Sequence, residues 1–296
     1  QEDYFHQKLS TQWLPVDNDL NEDLRMVVFN DYRNYNRYGS RLFNISTNNG
    51  GIYIEGDATN PDNQASFYAH EADWLRPEFA IWNLEHEYVH YLDGRFNKWG
   101  SFADQPANSV WWGEGLAEYL SQPNNNSNAL AVAPQGTYSL SELFQTTYEN
   151  SNTERTYHWG YLAARYMIEQ QTVEIENSLL PSMRAAKRVV SNAPCQFDWG
   201  WKLKSEAIDN GWAWAYDDSE WSTGDWVWTC GQAQQEAPEL PPYTPYQDIL
   251  NGWGTAFDQD FSAWLICIVE GQGLCQPTPA RPADLDENNT VDIRDI

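Results

Sequence analysis

The hydrophobic pattern divides the chain into a few strands and several helices. Residues 25–30 (Arg-Met-Val-Val-Phe-Asn) form a short apolar run that predicts a buried strand. Gly50-Gly51-Ile52-Tyr53-Ile54-Glu55 predicts a second strand, and its paired glycines suggest another backbone approaching closely. Beyond Pro77, a residue tolerated in a first helical turn, Phe79, Trp82, His86, Val89 and His90 recur at helical spacing through Leu92. Gly94 is read as the stop of that helix. Further helices are predicted from about Trp111 through Leu120 and from about His158 to Gln170.

Composition adds three constraints. The chain is 41% hydrophobic and 15% aromatic, which fits a globular protein with a sizeable core. No apolar run approaches the roughly 20 residues that span a bilayer. Seventeen basic against 43 acidic residues give a net charge of −26, which disfavours nucleic acid and anionic membranes as partners. The chain starts with Gln and shows no basic-then-apolar leader, so it reads as a mature, secreted chain, expected to act as a monomer.

All four cysteines, Cys195, Cys230, Cys267 and Cys275, lie in the C-terminal third and none forms a CxxC pair. Two disulfides and an oxidising compartment are expected. Of three connectivities, Cys195–Cys230 with Cys267–Cys275 closes the shorter loops. Between Cys195 and Cys230 lie Trp199, Trp201, Trp212, Trp214, Trp221, Trp226 and Trp228, read as an aromatic subdomain whose rings serve packing ahead of binding. Residues 236–245 and 276–282 are rich in proline and read as connectors.

The chemistry concentrates in His86-Glu87-Tyr88-Val89-His90, which holds two of the chain's five histidines. Positions i and i+4 share a helix face, so His86 and His90 can direct two imidazoles at one metal ion. Glu87, about 100° around the helix, stands beside the metal and is placed to take a proton from the attacking water. A catalytic zinc takes three protein ligands and keeps one position open. Glu114, in Trp111-Trp112-Gly113-Glu114-Gly115-Leu116-Ala117-Glu118, is the expected third ligand. Glu118, one turn on, is the expected carboxylate behind a ligand imidazole.

These segments resemble the bacterial collagenase family, nearest its Vibrio-type branch. The resemblance rests on residues 86–96 and 111–119, on Asn49-Gly-Gly-Ile-Tyr-Ile-Glu-Gly56, on residues 71–80 and on Tyr157-His-Trp-Gly-Tyr-Leu-Ala163. It spans most of residues 20–170, with a weaker echo at 254–264. It implies an α+β fold: a zincin (thermolysin-like gluzincin) peptidase domain with a mostly helical C-terminal subdomain. It implies His86, His90 and Glu114 as ligands of one catalytic zinc and Glu87 as general base. It further implies Gly50, Gly51, Ile52 and Tyr53 as the edge strand that pairs with substrate. A structural calcium is implied at Glu55 with the carbonyls of Leu92 and Gly94. Tyr157, His158 or Tyr161 would steady the oxyanion.

The domain reading that follows has a peptidase domain over 1–265. Its upper part runs to about 120, and its lower, helical part carries the Trp-rich insert. A linker follows over 266–283. Family members carry a large N-terminal activator region, and this chain starts close to the peptidase unit. Peptides and gelatin-like chains are therefore expected substrates ahead of intact triple-helical collagen. At the end, Asp284, Asp286, Asn288, Thr290, Asp292 and Asp295 fall at positions 1, 3, 5, 7, 9 and 12 of a loop over 284–296 that resembles a truncated dockerin-type calcium site. The rival readings are an acidic, calcium-binding adhesion module without catalysis and a serine or cysteine hydrolase. The first predicts no zinc. The second lacks a GxSxG motif and spends its cysteines on disulfides.

Overall fold

The structure is a computed structural model that describes residues 1–11, 13–17, 19–98, 105–185, 200–203, 205, 212–214, 222–223, 226–233, 245–270 and 275. The chain forms two compact units, Gln1–Ala186 with Tyr243–Ile296, and Lys187–Pro242.

The first unit opens with α1 (Glu2–Leu9), β1 (Arg25–Phe29), α2 (Tyr32–Leu42), β2 (Gly51–Ile54) and β3 (Ser66–His70). Asp31 caps α2 by accepting the Asn34 backbone N–H at 2.7 Å. The three strands form one mixed sheet in the order β1-β3-β2. β1 runs parallel to β3 and β2 antiparallel, with Tyr53 opposite Phe67. Every residue of the central β3 is buried. On one face Tyr35 of α2 packs with Ile45 and Tyr68. β2 is left as an edge.

The zinc-motif helix is α3 (Leu84–Phe96), followed by α4 (Val110–Ser121), α5 (Ser127–Val132) and α6 (Leu140–Leu143). A wide, π-type turn over Glu154–Trp159 leads into α7 (Gly160–Gln170). The short α8 (Thr172–Glu174), another wide turn over Ile175–Leu179 and α9 (Leu180–Ala185) follow. α10 (Tyr246–Trp253) and α11 (Asp258–Glu270) complete the described helices. One large core runs from Phe5 through Leu92, Trp111, Leu116, Leu162 and Met167 to Phe261. Trp111 and Trp112 are fully buried with their indole N–H groups satisfied, by the Tyr246 hydroxyl at 2.8 Å and by Asp93 Oδ1 at 3.3 Å. At the crossing of α4 and α7, Gly115 meets the backbone of Gly160. None of the described helices is long and apolar enough to cross a membrane.

In the second unit the described strands make an antiparallel sheet. β4 (Gly200–Leu203), β5 (Trp212–Trp214) and β6 (Ser222–Thr223) all pair with the long β7 (Trp226–Ala233). The Trp-rich segment therefore contributes a sheet to a region expected to be mostly helical.

Three expectations need correction. The helix does not begin at Pro77. Residues 71–82 instead fold back along β3, with a bridge between Glu71 and Ile81 and the Trp82 N–H donating to the His70 carbonyl at 2.9 Å. The helix starts only after Asn83. Gly94 does not stop it either: α3 runs on to Phe96, and Gly94 is where the Glu55 carboxylate lies against the helix, leaving no room for a Cβ. The linker expected over 266–283 overlaps α11 at residues 266–270, and Cys267 there is bonded to Cys275 with a Cα–Cα distance of 5.9 Å. That bond matches one of the two expected disulfides. The other, Cys195–Cys230, involves Cys195, which lies outside the described residues.

Candidate active site

Helical spacing does what it promised on α3. His86 and His90 are buried and bring their Nε2 atoms within 3.1 Å of each other. α4 packs against α3 and aims the buried Glu114 at the same point. Its Oε2 lies 3.3 Å from His86 Nε2 and 3.4 Å from His90 Nε2. A tetrahedral ion with bonds of about 2.0–2.1 Å spaces its ligand atoms about 3.3–3.4 Å apart. The triangle of 3.1, 3.3 and 3.4 Å thus has the size a zinc ion requires, and two nitrogens with one carboxylate oxygen form a zinc donor set. Among the described residues this is the one group of His, Cys, Asp or Glu side chains gathered closely enough to hold a metal.

The electrostatics agree. Without a metal, burial disfavours a charged His86, but contacts to Glu114 and Glu118 overrule it and push its pKa up to about 10. Burial works against an ionised Glu114 too, yet His90 and His86 hold its pKa well below the usual carboxylate range. The site therefore brings a buried carboxylate and two ring nitrogens to one point, and a metal ion, which binds imidazole in its neutral form, would take the place of the proton now favoured on His86.

Supporting contacts surround the triangle. His86 Nδ1 lies 3.1 Å from Glu118 Oε1. Glu118 is itself held by Asn126, whose Nδ2 donates to Oε2 at 2.8 Å. Such a carboxylate orients the imidazole and raises its basicity. Glu118→Gln is expected to weaken zinc affinity by roughly 10- to 100-fold, read by competition with a metal indicator. Unchanged affinity would count against that role.

Glu87 stands beside the triangle, buried, with each carboxylate oxygen held. Oε2 accepts the backbone N–H of Tyr53 at 2.8 Å, and Oε1 accepts Nδ2 of Asn83 at 3.0 Å. Because Tyr53 turns its N–H to Glu87, it faces away from β3 and into the cleft. That cleft, about 770 Å³, is lined by residues 49–56 on one side and by His86, Glu87, His90, Glu114, Tyr148 and Tyr157 on the other.

The remaining candidates separate clearly. Tyr157 lines the cleft, its ring centroid 6.1 Å from that of His86, and burial followed by the nearby Glu114 raises its pKa. Tyr161 is turned away, its hydroxyl donating to the Pro123 carbonyl at 3.1 Å. His158 is not part of the cleft lining. Gly50 and Gly51 do reach the cleft, but neither meets a close second backbone as its main neighbour. A Cβ on Gly50 would overlap the Trp82 indole, and one on Gly51 would crowd the Phe67 ring. Ile52 lines the cleft too, while its side chain packs with the α2-side cluster. Glu55 is buried with its carboxylate against the Cα side of Gly94. The terminal loop, Asp284, Asp286, Asn288, Thr290, Asp292 and Asp295, lies outside the described residues.

Two site residues escape the sequence pattern. Tyr148 donates its hydroxyl to Glu114 Oε1 at 2.5 Å, from a loop with no periodic signal. Asn83 sits four residues before Glu87, at a helix start that no periodicity marks.

Known proteins are similar to this chain over much of its length. The model of the collagenase peptidase family (Peptidase M9, Collagenase) matches residues 1–193. The chain is 46% identical over 181 residues to a microbial collagenase of Vibrio alginolyticus, covering 61% of this chain and 22% of that protein. It is 44% identical over 177 residues to a microbial collagenase of Vibrio parahaemolyticus, covering 59% and 21%. It is 29% identical over 162 residues to Collagenase ColT of Clostridium tetani, covering 49% and 15%. The chain thus spans about a fifth of the length of the Vibrio relatives. With the family model covering well over half of the sequence and the metal triangle formed, the chain belongs to the collagenase peptidase family.

Proposed function

We propose that this chain is a secreted, zincin-type zinc endopeptidase that hydrolyses gelatin- and collagen-type peptide bonds. The observation that carries the reading is the triangle of His86, His90 and Glu114 with Glu87 held beside it on the open side of a cleft. His86, His90 and Glu114 would hold the ion. Zinc, when bound, supplies a Lewis acid that polarises the scissile carbonyl and makes water acidic near neutral pH.

The protein's own groups do the rest. Glu87 takes the proton of the attacking water and delivers it to the departing amine. Tyr157 is the cleft-lining hydroxyl proposed to donate to the developing oxyanion, with Tyr148 on the same wall. Its raised pKa keeps it a donor at neutral pH. The edge of β2 that faces the cleft, residues 50–53, would pair with the peptide backbone in the manner of strand addition, apart from the Tyr53 N–H held by Glu87. Glu55 and Gly94 are proposed as part of a calcium site that ties β2 to α3. Family membership and the metal triangle favour this reading over an adhesion module, which needs neither.

The test is digestion of gelatin and of native collagen side by side, with and without a zinc chelator. Gelatin is expected to be cleaved, cleavage to stop with chelator, and activity to return with added zinc. Chelator-resistant cleavage, or none, would overturn the proposal.

A further inference from the structure

We propose that Asn83 is a positioning residue that holds the general base Glu87 in its working orientation; this rests on the peptidase reading above. Asn83 precedes α3 with φ 61° and ψ 14°, the left-handed region that side-chain-bearing residues seldom occupy and asparagine tolerates best. A residue at this helix-start position ordinarily turns its side-chain oxygen to the first-turn N–H groups. Asn83 makes no such cap. Its backbone carbonyl accepts the Glu87 N–H at 3.1 Å, the ordinary first bond of a helix, while its side-chain Nδ2 donates to Glu87 Oε1 at 3.0 Å. An ionised carboxylate only accepts, so the amide must present its NH₂ end.

The side chain of Asn83 therefore serves the carboxylate of Glu87 rather than capping the helix terminus. Tyr53 N–H holds the other oxygen from across the cleft. With one donor on each oxygen the carboxylate plane is fixed, and of its roughly four lone-pair sites about two stay open to a water. Neither donor is acidic, so neither competes for the proton that Glu87 must carry. Glu87 is otherwise a three-torsion side chain, and a base held in place has less to reorganise during reaction.

Two variants test this. Asn83→Gly keeps the left-handed backbone and deletes the donor. Asn83→Asp keeps size and backbone tolerance but sets an acceptor against Glu87. Both are expected to lower kcat on a gelatin-derived peptide by about 10- to 100-fold, the scale of a lost hydrogen bond to a charged group, with Asn83→Asp the worse. KM should stay within about twofold, and zinc content and Tm should match the parent. A crystal structure of Asn83→Gly should show the Glu87 carboxylate in more than one rotamer. Unchanged kcat in Asn83→Asp, or a loss that tracks lost zinc or lowered Tm, overturns the proposal. Glu87→Ala run in parallel separates the two readings. If it keeps full activity the peptidase reading falls, while the Glu87 rotamers still report whether Asn83 holds that side chain.

Discussion

Glu87→Ala is expected to bind zinc as the parent does and to lose about 10²- to 10⁴-fold in kcat. The three ligand atoms belong to His86, His90 and Glu114, so removing Glu87 leaves the metal triangle whole. What disappears is the carboxylate beside it, and a general base is worth that range. The change corresponds to roughly 3–5 kcal/mol of transition-state stabilisation. Elemental analysis of the variant should give the parental zinc content, and peptide cleavage should be near background. A variant with full cleavage would remove Glu87 from the mechanism, and one without zinc would make it a structural residue.

The second large effect is structural and lies behind the site. At the crossing of α4 and α7, a Cβ on Gly115 would overlap the carbonyl of Gly160. Those atoms are backbone on two packed helices and cannot swing aside. Overpacking costs about 1–3 kcal/mol when side chains can adjust, and sometimes more. Gly115→Ala should fall at or beyond the top of that range, lowering Tm by roughly 6–12 °C for a domain of this size. Glu114 is the adjacent residue, so zinc content should fall as well. Gly113→Ala is the internal control. Its Cβ would meet only the Lys98 ammonium at 3.2 Å, the end of a side chain, and alanine is the better helix former. Equal thermal stability of the two variants would show that the glycine contact is not what sets the helix spacing.

The part of the site that could be read in advance is the part governed by helical periodicity. His86 with His90, and Glu114 with Glu118, are i,i+4 pairs, and such pairs keep their relation wherever a helix begins. Where periodicity was carried too far, it misled. Phe79 and Trp82 continue the spacing of α3, yet their segment bridges Glu71, just beyond β3, through Ile81, and Asn83 only then turns the chain into the helix. Tyr157 and Tyr161 would share a face on a regular helix. The wide turn over Glu154–Trp159 breaks that phase, leaving Tyr157 in the cleft and Tyr161 against Pro123. Tyr148 reaches Glu114 from a loop through tertiary packing alone, which no local pattern encodes. The Cys267–Cys275 bond was legible because only a short loop separates the two residues.

The bond between Tyr53 N–H and Glu87 joins the strand proposed to take a peptide and the group proposed to transfer the proton. Thermodynamic linkage then makes their energies mutual. A ligand that draws β2 toward itself alters how firmly the base is held, and by the same amount the state of the base alters how firmly that ligand is held. Affinity along the cleft and readiness of the carboxylate are thus two readings of one coupling free energy, carried by a single backbone hydrogen bond.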